Sequence, residues 1–182
     1  DITSAKYKWN KSYPTIGQYE LFKTSMNLKL KSQIVVAPTS YGKTELILSF
    51  IDHENFHKIC IVSPTKSLLS QTKKRILDKF GYRKIITYPE RYNGNDENII
   101  AVLTQERLLR LLQNNTNLKF DLLVVDEAHN LLDEFSEENY RSVILASVII
   151  ICTKRNNDIV CKYLTPFLTN KDSIDIELSL IH

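Results

Sequence analysis

The chain has 182 residues, 43% hydrophobic and 25% charged, which fits a single globular domain with a sizeable core. A net charge of only +3 counts against a simple electrostatic nucleic-acid binder, while leaving room for a local basic groove. No apolar run reaches the roughly 18 residues of a membrane-crossing helix, and no secretory leader opens the sequence. Three cysteines, Cys60, Cys152 and Cys161, form neither a CxxC pair nor an even set, so buried reduced thiols in a reducing, cytoplasmic setting are expected. Asp1 in place of an initiating Met points to a segment of a longer protein.

Residues 33–37 read as a short buried strand and residues 44–51 as the helix after it. A second strand is expected at 58–63. Pro64 then marks a turn before a helical stretch at 66–80, in which Leu68, Leu69, Thr72, Ile76 and Phe80 share one face. Strands follow at 84–88 and 98–103, then a helix at 105–113 carrying Leu108, Leu109 and Leu112. A fifth strand at 120–125 is apolar on both sides, as a central parallel strand is. A helix at 137–154 and a sixth strand at 158–164 complete the pattern. This alternation predicts an α/β fold of βαβ units with right-handed crossovers: a doubly wound, mostly parallel sheet with helices on both faces. The segment 89–97, rich in Asn and charge, is expected to be a mobile surface loop, and 173–182 an edge strand or a linker.

Two stretches carry chemistry. Ala37-Pro38-Thr39-Ser40-Tyr41-Gly42-Lys43-Thr44 leaves the end of a strand and enters a helix. Backbone N–H groups at such a junction point at a phosphate, and the helix dipole favours its charge. Lys43 is placed to reach the β and γ phosphates of a nucleotide, and the Thr44 hydroxyl to ligand Mg²⁺. Gly42 permits close backbone approach and an unusual dihedral. Thr39, Ser40, Tyr41, Gly42, Lys43 and Thr44 are thus the nucleotide-binding candidates. The second stretch is Leu122-Leu123-Val124-Val125-Asp126-Glu127-Ala128-His129. A hydrophobic strand ending in two acids sets both carboxylates beside the phosphate loop, where Asp126 would hold Mg²⁺ and Glu127 would orient the attacking water.

Together these stretches resemble motifs I and II of the superfamily 2 DEAD/DEAH-box helicases. Ala37 replaces the first glycine of the general phosphate loop, and the acidic motif has the Asp-Glu-Ala-His form. Weaker elements appear in the family's order. Ser63-Pro64-Thr65-Lys66-Ser67-Leu68-Leu69-Ser70-Gln71 resembles motif Ia, and Thr104-Gln105-Glu106-Arg107-Leu108 resembles motif Ib with Gln105 where Pro is usual. The resemblance implies nucleic-acid contacts by Thr65, Lys66, Gln71, Thr104 and Arg107. Thr104 is equally a good N-cap. Gln18, in Tyr13-Pro14-Thr15-Ile16-Gly17-Gln18, resembles the glutamine element that reads adenine. For motif III, Leu145-Ala146-Ser147-Val148 falls within the predicted helix. Thr165, in Leu164-Thr165-Pro166-Phe167 at a strand end, takes the coupling position, with Pro166 and Phe167 departing from the family pattern.

The resemblance implies a RecA-like ATP-binding domain at 33–172, led by residues 1–32 with the glutamine element, and completed by a second RecA-like domain of the same full-length chain. It implies ATP and Mg²⁺ as cofactors, DNA or RNA as partner through the phosphate backbone, and no membrane. Its catalytic set would be Lys43, Asp126, Glu127 and His129. The function expected is that of a helicase or translocase motor, with two alternatives: the motor of a restriction or antiviral defence complex, or a nucleotide switch without efficient hydrolysis.

Overall fold

The computed structural model describes residues 16–26, 31–37, 42–52, 56–64, 66–131 and 140–166, apart from the side chains of Ile16, Gln18, Phe22, Lys66, Ser67 and Leu68. Its strands are β1 (Ser32–Val36), β2 (Lys58–Val62), β3 (Lys84–Ile86), β4 (Ile99–Leu103), β5 (Leu122–Val125) and β6 (Val160–Thr165). All pair in parallel within one sheet, in the order β1-β6-β5-β2-β4-β3. The helices are α1 (Ile16–Ser25), α2 (Lys43–Asp52), α3 (Lys66–Phe80), α4 (Gln105–Asn114) and α5 (Tyr140–Arg155). This is the doubly wound α/β fold that the alternating pattern predicts.

Because side chains alternate along a strand, the sheet buries two separate apolar layers. Ile59, Ile61, Ile100, Val102, Leu122, Val124 and Leu164 pack under α2 and α3, against Leu46, Phe50, Leu69, Ile76 and Phe80. Cys60, Val62, Ala101, Leu103, Leu123, Val125 and Tyr163 pack on the other face under α4 and α5, against Leu108, Leu111, Ile144, Leu145 and Val148. Each large aliphatic or aromatic side chain so buried contributes about 1.5–3 kcal/mol. All three cysteines are buried and free. Among the described residues, no helix is long and apolar enough to cross a membrane.

Element ends follow local chemistry. Thr104 caps α4, its hydroxyl accepting from the Arg107 N–H at 3.5 Å. At the other end of α4, Arg155 of α5 donates to the carbonyls of Leu112 (2.9 Å) and Asn115 (2.8 Å), a cation where the helix dipole favours one. Three expectations are corrected. The strand predicted at 84–88 ends at Ile86, because the chain turns at Thr87–Tyr88 into a 3-10 turn at Pro89–Arg91, where Pro89 supplies no N–H for a ladder. The segment 89–97 is tied down where a mobile loop is expected: Pro89 is buried, Tyr92 packs on the core, and Asp96 pairs with Lys84 at 2.6 Å. Helix α1 is absent from the predicted elements, since its apolar residues form no continuous stripe. Residues 173–182 lie outside the described residues.

Strand β6 carries a charge through the core. Lys162 is fully buried, its ammonium donating to Gln33 Oε1 at 2.7 Å and lying 5.7 Å from the centre of the Phe50 ring. Gln33 in turn donates to the Thr24 carbonyl at 3.1 Å, so a polar seam joins β6, β1 and α1. Burial pulls the Lys162 ammonium down to about 8 from 10.5. Between those values the unfolded chain holds a proton that the folded chain has lost, so this group makes stability rise with pH across that window. Urea melts from pH 7 to 10 should therefore show the chain gaining stability relative to a Lys162→Met variant above about pH 8. Parallel profiles for the two proteins would refute this.

Candidate functional site

Parallel pairing sends all six strand ends to one edge of the sheet. In sheet order that edge presents Ala37 after β1, Thr165 at the end of β6, Asp126 after β5, Ser63 after β2, Thr104 after β4 and Thr87 after β3. Three backbone hydrogen bonds extend the ladders beyond the strands at this edge, one of them from Ser63 N–H to the Leu103 carbonyl at 3.1 Å. Ala37 N–H donates to the Thr165 carbonyl and Asp126 N–H to the Val62 carbonyl, each at 2.8 Å. Ala37 is completely buried, so the residue standing in for glycine is a packed strand end.

Gly42 and Lys43 open α2. Gly42 has φ +75°, in the left-handed region that glycine enters without strain. Its carbonyl accepts the Leu46 N–H at 3.1 Å, the first turn of α2. The helix directs Lys43 toward the acidic motif, 84 positions away: its ammonium donates to Glu127 Oε1 and lies 4.0 Å from Asp126 Oδ1. All three side chains are largely buried, at 12% exposure for Lys43, 9% for Asp126 and 16% for Glu127. Burial pushes the Asp126 carboxyl above the ordinary carboxylate range, and the nearby Lys43 offsets part of that shift. Asp126 also accepts the Glu127 N–H at 3.0 Å and lies 3.5 Å from the Ser63 hydroxyl.

Glu127 adopts φ +54°, a left-handed conformation that costs an L-residue about 1–2 kcal/mol. The following turn, Ala128–Leu131, holds it there, with the Asn130 side-chain amide donating to the Glu127 carbonyl at 2.7 Å. His129 Nδ1 lies 3.4 Å from Glu127 Oε2. The strained turn re-aims the Glu127 carboxylate at Lys43 and His129, while Asp126 stays at the strand end.

Of the other sequence-predicted residues, Thr44 is half-buried beside Lys43 on α2. Pro38, Thr39, Ser40, Tyr41 and Thr65 lie outside the described residues, as do the side chains of Gln18 and Lys66. Gln71 is exposed on α3, far enough along it to face solvent. Thr104 is buried and occupied as a cap, whereas the Arg107 guanidinium donates to the Thr87 carbonyl at 3.1 Å and lies 4.3 Å from the centre of the Tyr88 ring. Thr165 is fully buried, in register with Val36 of β1. Ser147, the rejected alternative, lies inside α5 with its hydroxyl bonded to the Val143 carbonyl. Tyr88 is an addition: nothing in its sequence context marks it as a neighbour of the motifs, and strand order brings it beside Arg107, as it brings Ser63, the first residue of the motif Ia stretch, to Asp126.

Residues 15–161 match the DEAD/DEAH box helicase family. The chain belongs to that family. It is a family of ATP-driven motors that act on nucleic acids. The chain is 29% identical over 113 residues to the anti-bacteriophage protein B of Escherichia coli, and 32% identical over 110 residues to the DNA 3′-5′ translocase XPB2 of Sulfurisphaera tokodaii. These matches take in 62% and 59% of the chain, but only 14% and 23% of those proteins. Its fold is similar to the Sulfolobus solfataricus SWI2/SNF2 ATPase core solved with double-stranded DNA (TM-score 0.65, 16% identity, 94% of this chain). It is also similar to the Pyrococcus furiosus Hef helicase domain (TM-score 0.66, 19% identity, 92% of this chain). The chain covers 36% of each solved structure, and the shared part establishes a RecA-like motor fold.

Gly42 tests the loop geometry. Its nearest neighbour for an added Cβ is Glu45 at an ordinary 3.9 Å, so Gly42→Ala should act through the backbone alone. A loss of about 1–2 kcal/mol in urea melts is expected. An unchanged midpoint would mean that residue 42 leaves the left-handed region at no cost.

Proposed function

We propose that this chain is the first motor domain of an ATP-dependent nucleic-acid helicase or translocase, acting in the cytoplasm. The observation that supports it most is the meeting of Lys43 with Asp126 and Glu127 at the sheet edge. A structural ion pair would need one carboxylate; here one cation faces two, in a largely buried setting. The donor set suits Mg²⁺ and a nucleotide: hard oxygens from Thr44 and Asp126, with an ammonium at hand for phosphate. Among the described residues no group of three or more His, Cys, Asp or Glu is placed to hold a metal, so phosphate and water oxygens would complete its shell.

In this reading Lys43 would turn from the carboxylates to the β and γ phosphates, Gly42 would allow the loop to approach them, and Thr44 and Asp126 would hold Mg²⁺. The metal ion supplies neutralisation of the phosphate charge. Lys43's departure frees Glu127 to accept from a water and aim it, with His129 beside the same carboxylate. Thr39, Ser40 and Tyr41 would supply loop contacts and Gln18 would read the base. Thr165, between the phosphate-loop strand and the acidic strand, is the coupling candidate. Thr65, Lys66, Gln71, Thr104 and Arg107 belong to the nucleic-acid side, Thr104 through its cap and Arg107 through its hold on Thr87. The domain proper would run from 33 to 172 after a lead-in at 1–32, with 173–182 leading toward a second RecA-like domain.

A second reading, the motor of an antiviral defence complex, draws on the likeness to the anti-bacteriophage protein. It differs in what the motor drives and keeps the same site.

In the full-length protein, Lys43→Ala should abolish ATP binding and turnover, and Glu127→Gln should abolish turnover while sparing binding. Near-normal hydrolysis by Glu127→Gln would overturn the role of Glu127. In a two-domain motor an arginine from the second domain contributes about 10³ to 10⁵ in rate, so residues 1–182 assayed alone should hydrolyse ATP poorly. Robust nucleic-acid-stimulated turnover by these 182 residues alone would contradict this.

A further inference from the structure

A cleft of about 190 Å³ opens at the far half of the functional edge, between α3 and the loop after β3. Its lining is Leu69, Ser70 and Lys73 of α3, Thr87 and Tyr88 after β3, Val102 of β4 and Arg107 of α4. The lining holds two cations and no carboxylate. Among the described residues, no ion pair engages Lys73. Thr87 is buried and forms the floor of the cleft, its carbonyl anchoring Arg107. Tyr88 keeps 48% of its surface exposed, although Arg107 covers its ring from one direction at 4.3 Å. The Arg107 guanidinium is fixed by its bond to the Thr87 carbonyl, so it holds the ring in place from behind.

We propose that this cleft seats one unpaired nucleotide of a nucleic-acid strand, its base stacked on the open face of Tyr88 and its phosphate held by Lys73. The inference rests on the motor reading above and adds to it a specific contact and a preference for single-stranded regions. Stacking needs a base released from a duplex, because a paired base offers its faces only to its neighbours. A cation behind an aromatic ring strengthens such a platform, and an aromatic flanked by basic groups is the usual composition of a strand-binding surface. Arg107 thereby becomes a positioning residue, and Tyr88 the contact.

The test uses the full-length protein and a fluorescent single-stranded oligonucleotide, an oligothymidylate and its uridylate counterpart, followed by anisotropy. Tyr88→Leu should weaken binding roughly 5- to 100-fold, while Tyr88→Phe, which keeps the stacking face, should bind as the parent does. An oligonucleotide with abasic sites throughout should bind parent and Tyr88→Leu equally. Lys73→Ala should lower the salt dependence by about 0.7 in the log–log slope, the share of one phosphate on a single strand. Retained ATP binding shows that each variant is folded. Equal affinity of Tyr88→Leu and the parent for the normal strand, or equal losses on the normal and abasic strands, overturns the cleft assignment. A parent protein that binds ATP but no nucleic acid at all overturns the motor reading itself.

Discussion

The Lys43 ammonium lies between two carboxylates that the chain brings from 83 and 84 positions away, and the rest of the molecule is arranged to make that meeting possible. Burying three charges is unfavourable unless they face one another at close range. That proximity needs the end of β1 and the end of β5 held at a fixed separation. One strand, β6, sits between them and sets it, hydrogen-bonded to both neighbours through five and four registered pairs. The spacing is therefore the width of two strand-to-strand steps, about 10 Å across the sheet. That is a gap long side chains such as Lys and Glu can span from opposite sides, with space for a phosphate group between their backbones.

The same strand order divides the functional edge. β1, β6 and β5 bring Ala37, Thr165 and the acidic pair together; β2, β4 and β3 bring Ser63, Thr104 with Arg107, and Thr87 with Tyr88. Ser63 stands at the boundary, 3.5 Å from Asp126 by its hydroxyl and bonded through its N–H to the Leu103 carbonyl at 3.1 Å. The acidic pair is therefore linked to the end of β4 through a backbone hydrogen bond at Ser63. Thr165 has the corresponding place on the other half of the edge, its carbonyl accepting from the Ala37 N–H. Its neighbours in sequence, Pro166 and Phe167, depart from the family pattern.

Legibility in the sequence followed the range of the interactions. Strands such as Leu122–Val125 and Ile99–Leu103 were readable because every residue in them is apolar and both faces are covered. The phosphate loop and the acidic pair were readable because each is a contiguous run whose chemistry is local. The strand order was not, since nothing in the composition of β6 says that it lies between β1 and β5. Lys162 had no readable meaning either: a lysine in a strand reads as a solvent-facing residue, and only the packing of Phe50 and Gln33 around it explains its burial. The left-handed turn at Glu127 was equally silent, because Glu carries no preference for that conformation. Tyr88 was assigned to a strand by its β propensity, and Pro89 immediately after it removed the ladder that the assignment required.

Arg141 shows how far the arrangement extends beyond the motifs. From the first turn of α5 it donates to Glu106 of α4 at 2.9 Å and to the Pro64 carbonyl, at the loop between β2 and α3. The pair with Glu106 is half exposed, and such surface ion pairs contribute little stability, about 0–1 kcal/mol. Its effect is positional. Glu106 is two residues from the Thr104 cap and next to Arg107, which holds Thr87 and backs Tyr88, so one guanidinium spans the loop before α3 and the helix beside the cleft. Helix α5 also packs on α4 through Ile144, Leu145 and Val148. The first turn of α5 is thus tied both to the loop before α3 and to the start of α4.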